Sequence, residues 1–60
     1  TLAPTQQQIV HHLEREPLHV EQLAQLLNIE IALLQANLTE LEIQGIVRKN
    51  IWLMYEISHR

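Results

Sequence analysis

The sequence predicts a mainly α domain closed by a small β-ribbon, and three observations point to it. Residues 20–27 and 30–44 carry leucines at helical spacing, with only a short turn between the two segments. Another helical segment, opening at Thr5, precedes them. A stretch rich in β-branched and aromatic residues, 46–57, follows the lone Gly45. One helix, a tightly turned helix pair and then a hairpin is the order of a winged helix-turn-helix: a three-helix core plus an antiparallel wing of two or three strands.

Residues 1–4 read as a linker, and 5–60 as the folded domain. Thr5 opens the first helix, with Gln8 three residues on at the capping-box spacing. Ile9, Val10 and Leu13 line its inner side, and Pro17 prevents continuation through Glu14, Arg15 and Glu16. Leu18 and His19 form a short extended link. The second helix carries Glu21 in its first turn, where the helix dipole favours a carboxylate. Leu23, Ala24 and Leu27 repeat at helical spacing, and Asn28 is suited to the left-handed conformation that ends a helix.

In the third helix, at 100° per residue, Leu34, Leu38 and Leu41 fall within about 60° and form the inward stripe. Gly45 stops it where φ is usually positive. Ile46-Val47 and residues 51–57 suit two antiparallel strands, with Arg48, Lys49 and Asn50 between or near them. Alternation along the second puts Trp52, Met54 and Glu56 on one face. Ile51, Leu53, Tyr55 and Ile57 take the other, which is the better core candidate.

Sixty residues make one domain, near the lower limit for folding without staples. There is no cysteine, so an apolar content of 47%, mostly aliphatic, must supply stability by packing. No apolar run approaches the roughly 18–20 residues of a membrane span, and no basic-then-apolar leader is present. The missing cysteine fits a cytoplasmic setting. The chain opens at Thr1 rather than Met, and is expected to be a piece of a longer protein.

Charge limits the function most. Seven glutamates against four Lys and Arg give a formal −3, the opposite of the basic stripe that holds phosphates.

The pattern Leu23-Ala24, Leu27-Asn28-Ile29, Leu34, Leu38, Leu41-Glu42 and Gly45-Ile46-Val47 is similar to the winged helices of many bacterial regulators. Ala24 is small where two helices cross, and Ile29 plugs the turn. More narrowly, Glu16-Pro17-Leu18-His19-Val20-Glu21-Gln22-Leu23-Ala24 and the segment LTELEIQGIV, residues 38–47, resemble the C-terminal winged-helix domain of the DNA-processing DprA (Smf) family. That family carries a Glu-Pro turn, a Leu-Glu-Leu-x-Gly segment before the wing and a Tyr near the chain end, which Tyr55 matches by its spacing from Gly45. The resemblance implies a parent whose Rossmann-like domain binds single-stranded DNA and hands it to the recombinase RecA in natural transformation, with the small domain as an accessory. One departure stands out: where the family has a Pro-Gly-Gly type turn at the wing tip, this chain has Ile51-Trp52-Leu53. The wing is therefore longer, differently turned, or repurposed for contact.

Four candidate surfaces follow. As a groove reader the third helix would present Gln35 and Thr39 to bases, but no Lys or Arg lies between Glu30 and Gln44, and Glu30, Glu40 and Glu42 repel phosphates. The same outward face holds Ala32, Ala36 and Ile43, either a protein contact or plain solvent-facing helix formers. Arg48 and Lys49 are a basic pair able to touch one or two phosphates with His59 and Arg60, or a charged edge that blocks strand pairing. Trp52 and Met54, on the outer ribbon face, anchor a protein contact, or Trp52 stacks on a base, which the lack of neighbouring aromatics and of a basic groove disfavours, or folds over the core edge.

No catalytic, cofactor or metal site is expected. His11 and His12 are adjacent rather than four apart, and Cys, Asp and a glycine-rich phosphate loop are all missing. A chain this small also has no evident room for a substrate pocket. The expectation is thus an accessory module that is not an enzyme, contacting another protein, the parent's own domains or a second copy, with DNA contact weak or left to the parent. No membrane or small-molecule partner is expected. The alternative is a sequence-specific DNA-binding head of a transcriptional regulator.

Overall fold

The computed structural model describes residues 2–59 and has the expected class: three helices and a two-stranded antiparallel ribbon. The elements are α1 (Pro4–Arg15), α2 (Val20–Leu27), α3 (Ile31–Ile43), β1 (Val47–Lys49) and β2 (Tyr55–Ile57).

α1 starts earlier than the capping pattern suggested. Pro4 takes the first helical position after an extended Ala3, and Thr5 lies inside the first turn without capping it. Proline suits that position because its φ is already helical and its missing N–H would have no partner. Ile9 and Leu13 are buried, and so is Gln6, whose amide nitrogen lies 3.5 Å from the Glu40 carboxylate on α3. Contrary to the expectation from Pro17, Glu14 and Arg15 are helical, because a proline restricts the residue directly before it; the helix ends at Glu16, which is extended.

The link to α2 is a near-strand. Leu18 and Tyr55 exchange both backbone hydrogen bonds, at 3.0 and 2.8 Å, so α1 and α2 are tied to the ribbon. His19 then precedes α2, and its N–H donates to Gln22 Oε1 at 2.9 Å. Asn28 ends α2 in the left-handed region, φ 54°, and Ile29 N–H closes back on the Ala24 carbonyl.

α3 seats the core. Leu34, Leu38 and Leu41 are fully buried and pack with Ile9, Leu13, Leu18, Leu23, Val47 and Tyr55. Its end is a full reversal: Gly45, at φ 78°, donates to the Glu42 carbonyl and Ile46 to that of Leu41, each at 2.9 Å. This paired closure satisfies two of the helix's last carbonyls and turns the apolar Ile46 back onto the core.

The ribbon differs from the sequence reading. Strand β2 begins only at Tyr55, in register Val47↔Ile57, Arg48↔Glu56 and Lys49↔Tyr55. Residues 51–53 are a turn, so alternation stops before it reaches them. Ile51 and Leu53 are 85% and 67% exposed rather than core residues, whereas Tyr55 and Ile57 do pack inward. The cause is Asn50. Its N–H and the Met54 carbonyl close the hairpin at 2.9 Å, and its carbonyl accepts Leu53 N–H at 3.0 Å. Its side-chain Oδ1 takes the N–H groups of Trp52 and Met54, at 2.9 and 3.1 Å. Leu53 sits in the left-handed region, φ 63°, completing a three-residue hairpin loop in which that position ordinarily falls to glycine.

Candidate interaction surface on the third helix and the wing

α3 is apolar on more than its buried side. Opposite Leu34, Leu38 and Leu41 stand Ala32, Ala36, Thr39 and Ile43, all exposed, with Ile43 at 81%. Leu33, on the flank, is 52% exposed, and Ile31 opens the same helix partly in solvent. Apolar residues outside the buried stripe give this helix a second face able to make a contact. Sequence reasoning named Ala32, Ala36 and Ile43 but passed over Leu33, Ile31 and, on α2, the exposed Leu26. The signal was available: Leu33 lies 100° from Leu34 on the wheel, off the inward stripe.

The two candidate base readers are exposed but poorly equipped. Thr39 Oγ1 donates to the Gln35 carbonyl at 2.9 Å, so its proton serves the helix. Gln35 is exposed on a helix that carries Glu40 and Glu42 and no cation.

On the wing the basic pair is engaged within the fold. Arg48 Nε donates to Glu56 Oε2 at 2.7 Å across the ribbon, and Asn50 Nδ2 donates to Glu56 Oε1 at 3.0 Å. These bonds, that from Asn50 first and that from Arg48 next, hold the Glu56 carboxyl below its ordinary titration range. The Arg48 charge is thereby balanced before any phosphate approaches. Lys49 lies over the Tyr55 ring, with Nζ 5.4 Å from its centre. His59 is exposed, and Arg60 lies outside the described residues, as does Thr1.

Trp52 is 68% exposed at the tip of the turn, so it does not fold over the core. It stands beside Ile51 and Leu53 rather than alternating with them along a strand. Met54 is half-buried, because it closes the turn instead of standing on an outer strand face. The tip therefore presents three consecutive large apolar side chains, flanked by Arg48 and Lys49.

The histidines stay apart. His11 and His12 pack edge to face with ring centres 5.7 Å apart on α1, while His19 and His59 lie elsewhere along the chain. Among the described residues no three His, Cys, Asp or Glu side chains gather as a metal ion would need. None of the described helices is long and apolar enough to cross a membrane.

No curated protein and no solved structure matches the chain significantly. A family model does, that of the DprA winged helix domain, over residues 1–49. The match spans the three helices, the Gly45 reversal and β1, and stops before the wing turn and β2. With most of its length matched and the three-helix, winged architecture in place, the chain belongs to the DprA winged helix domain family.

Proposed function

We propose that this domain is a non-enzymatic accessory module of a DprA-like DNA-processing protein, and that it acts by contacting polypeptide through the α3 outer face and the wing tip. In such a parent, single-stranded DNA handling and its transfer to RecA during natural transformation belong to a Rossmann-like domain, in the cytoplasm. This module would position that domain or join it to a neighbour. The observation that carries the reading is the outer face of α3: no Lys or Arg between Glu30 and Gln44, exposed glutamates at 40 and 42, and Ile43 open to solvent. A duplex approaching this face would meet like charge, while an apolar protein surface would meet its own kind.

The wing gives the opposing view little support. Of its two cations, Arg48 is paired with Glu56, which leaves Lys49 as the wing's unbalanced charge. One or two phosphate contacts give weak binding that salt removes quickly.

The test is a fluorescence-anisotropy titration of the chain into labelled duplex and single-stranded DNA, at low salt and near 0.15 M. Affinity at the higher salt should be no tighter than the roughly 10⁻⁴ M end of non-specific binding. Micromolar binding that persists there would overturn the proposal in favour of a DNA-binding head. Should low-salt binding occur, Arg48→Ala with Lys49→Ala locates it on or off the wing.

A further inference from the structure

We infer that the surface is complementary to itself: the wing tip of one copy docks on the α3 outer face of a second, and reciprocally, in a closed two-fold dimer. The inference rests on reading that surface as a polypeptide contact, and it adds the identity of the occupant.

The tip is built as an anchor. Ile51, Trp52 and Leu53 project from a loop whose backbone Asn50 holds at both Trp52 and Met54. A loop already ordered loses little freedom on docking. Leu53 occupies a left-handed position, φ 63°, that glycine would take without strain, and its side chain is two-thirds exposed. A leucine there gains little inside the monomer to offset the strain. Such outliers point to a role outside the isolated fold.

The charges select the occupant. The tip is flanked by Lys49 and by Arg48 with its Glu56 partner, so its edge carries one net positive charge, from Lys49, and fits an apolar surface bordered by carboxylates. The α3 outer face is such a surface, with Ile43 exposed between Glu40 and Glu42 and no cation on that helix. Size argues for reciprocity. A stable interface covers about 800 Å² on each partner, whereas three tip side chains supply only part of that. Two tips engaged with two α3 faces around a two-fold axis double the contact and leave no open end for further addition.

The experiment uses the chain alone, followed by sedimentation velocity and by the emission of its single tryptophan, Trp52, from about 1 µM to about 500 µM. Self-docking should give a monomer–dimer equilibrium within that range, with Trp52 emission shifting to the blue as the dimer fills. Ile43→Glu and Trp52→Ala should each weaken association by about tenfold or more with helical circular dichroism unchanged. Lys49→Glu should weaken it too, and mixing that variant with a Glu40→Lys, Glu42→Lys copy should restore pairing. A chain that stays monomeric throughout overturns self-docking but leaves the polypeptide reading to the DNA titration. A dimer indifferent to both Ile43→Glu and Trp52→Ala overturns the surface assigned here.

Discussion

Arg48 and Glu56 face each other across the ribbon, Nε to Oε2 at 2.7 Å, with the Asn50 amide on the other carboxylate oxygen. The residue best placed on the wing to meet a phosphate thus already has an anion. The same three residues join the hairpin register to the loop geometry, so the wing's electrostatics and its shape have one origin.

That relationship makes the wing sensitive to acid. Glu56 titrates below its ordinary value because its charged form receives two hydrogen bonds in the folded chain. A depressed carboxylate contributes stability that is fully present above the unfolded value, about 4.3, and lost as pH falls through the lowered one. Glu56→Gln should therefore melt below the wild type near pH 6, and the gap should close as pH drops below about 4. Thermal melts across that range check it, and a gap independent of pH would contradict it.

Leu53→Gly should stabilise the domain. A left-handed leucine costs about 1–2 kcal/mol, and its exposed side chain has little packing to lose. Part of that gain is returned through the greater freedom of an unfolded glycine, leaving a net of about 1 kcal/mol. In a domain this small that is a rise of about 4–8 °C in Tm. The same change should weaken self-association, so stability and docking would move in opposite directions. A fall in Tm would mean that the turn is held some other way.

Asn50→Ala removes the acceptor for two backbone N–H groups and a donor to Glu56. Such local acceptors are worth about 0.5–2 kcal/mol at helix caps, and a turn acceptor belongs in the same range. Loss of about that size is expected in chemical denaturation, together with a rise in the Glu56 pKa visible by carboxyl NMR. Unchanged stability would show that the hairpin closes without the side chain.

Leu38→Ala should unfold much of the population at room temperature. Leu38 is fully buried, and such truncations cost about 2–5 kcal/mol. A core of this size seldom supplies more than about 3–5 kcal/mol in all. Far-ultraviolet circular dichroism with urea titration measures the loss, and a shift under about 1 kcal/mol would contradict the packing described.

The helices were legible because their signals are local. The bounds of α2, the left-handed Asn28, the Leu34, Leu38 and Leu41 stripe and the Gly45 stop each follow from a few adjacent residues. At α1 two local signals competed, and a proline at the first helical position prevailed over a threonine cap. The strand alternation over residues 51–57 was misread because that run has the composition of a strand throughout, although the family resemblance had already placed Ile51-Trp52-Leu53 at a differently turned wing tip. Nothing in that run marks a left-handed residue when leucine stands where glycine is usual. The neutralised Arg48 was out of reach for another reason: its pairing depends on the Arg48↔Glu56 register, which no single segment encodes. Of the candidate surface, Ile43 and Trp52 were visible in the sequence, Leu33 was legible on the helical wheel but passed over, and Ile51 and Leu53 needed the fold.

The central claim is that this winged helix lacks the charge, and not the shape, to hold a duplex. Its most direct measurement compares the salt dependence of duplex affinity for the wild type and for an Ala36→Arg, Glu40→Lys variant. The wild type should show no measurable binding near 0.15 M salt, while the variant gains binding whose log–log salt slope steepens by about two phosphate contacts. Wild-type binding in the micromolar range at that salt, with a steep slope of its own, would contradict the claim.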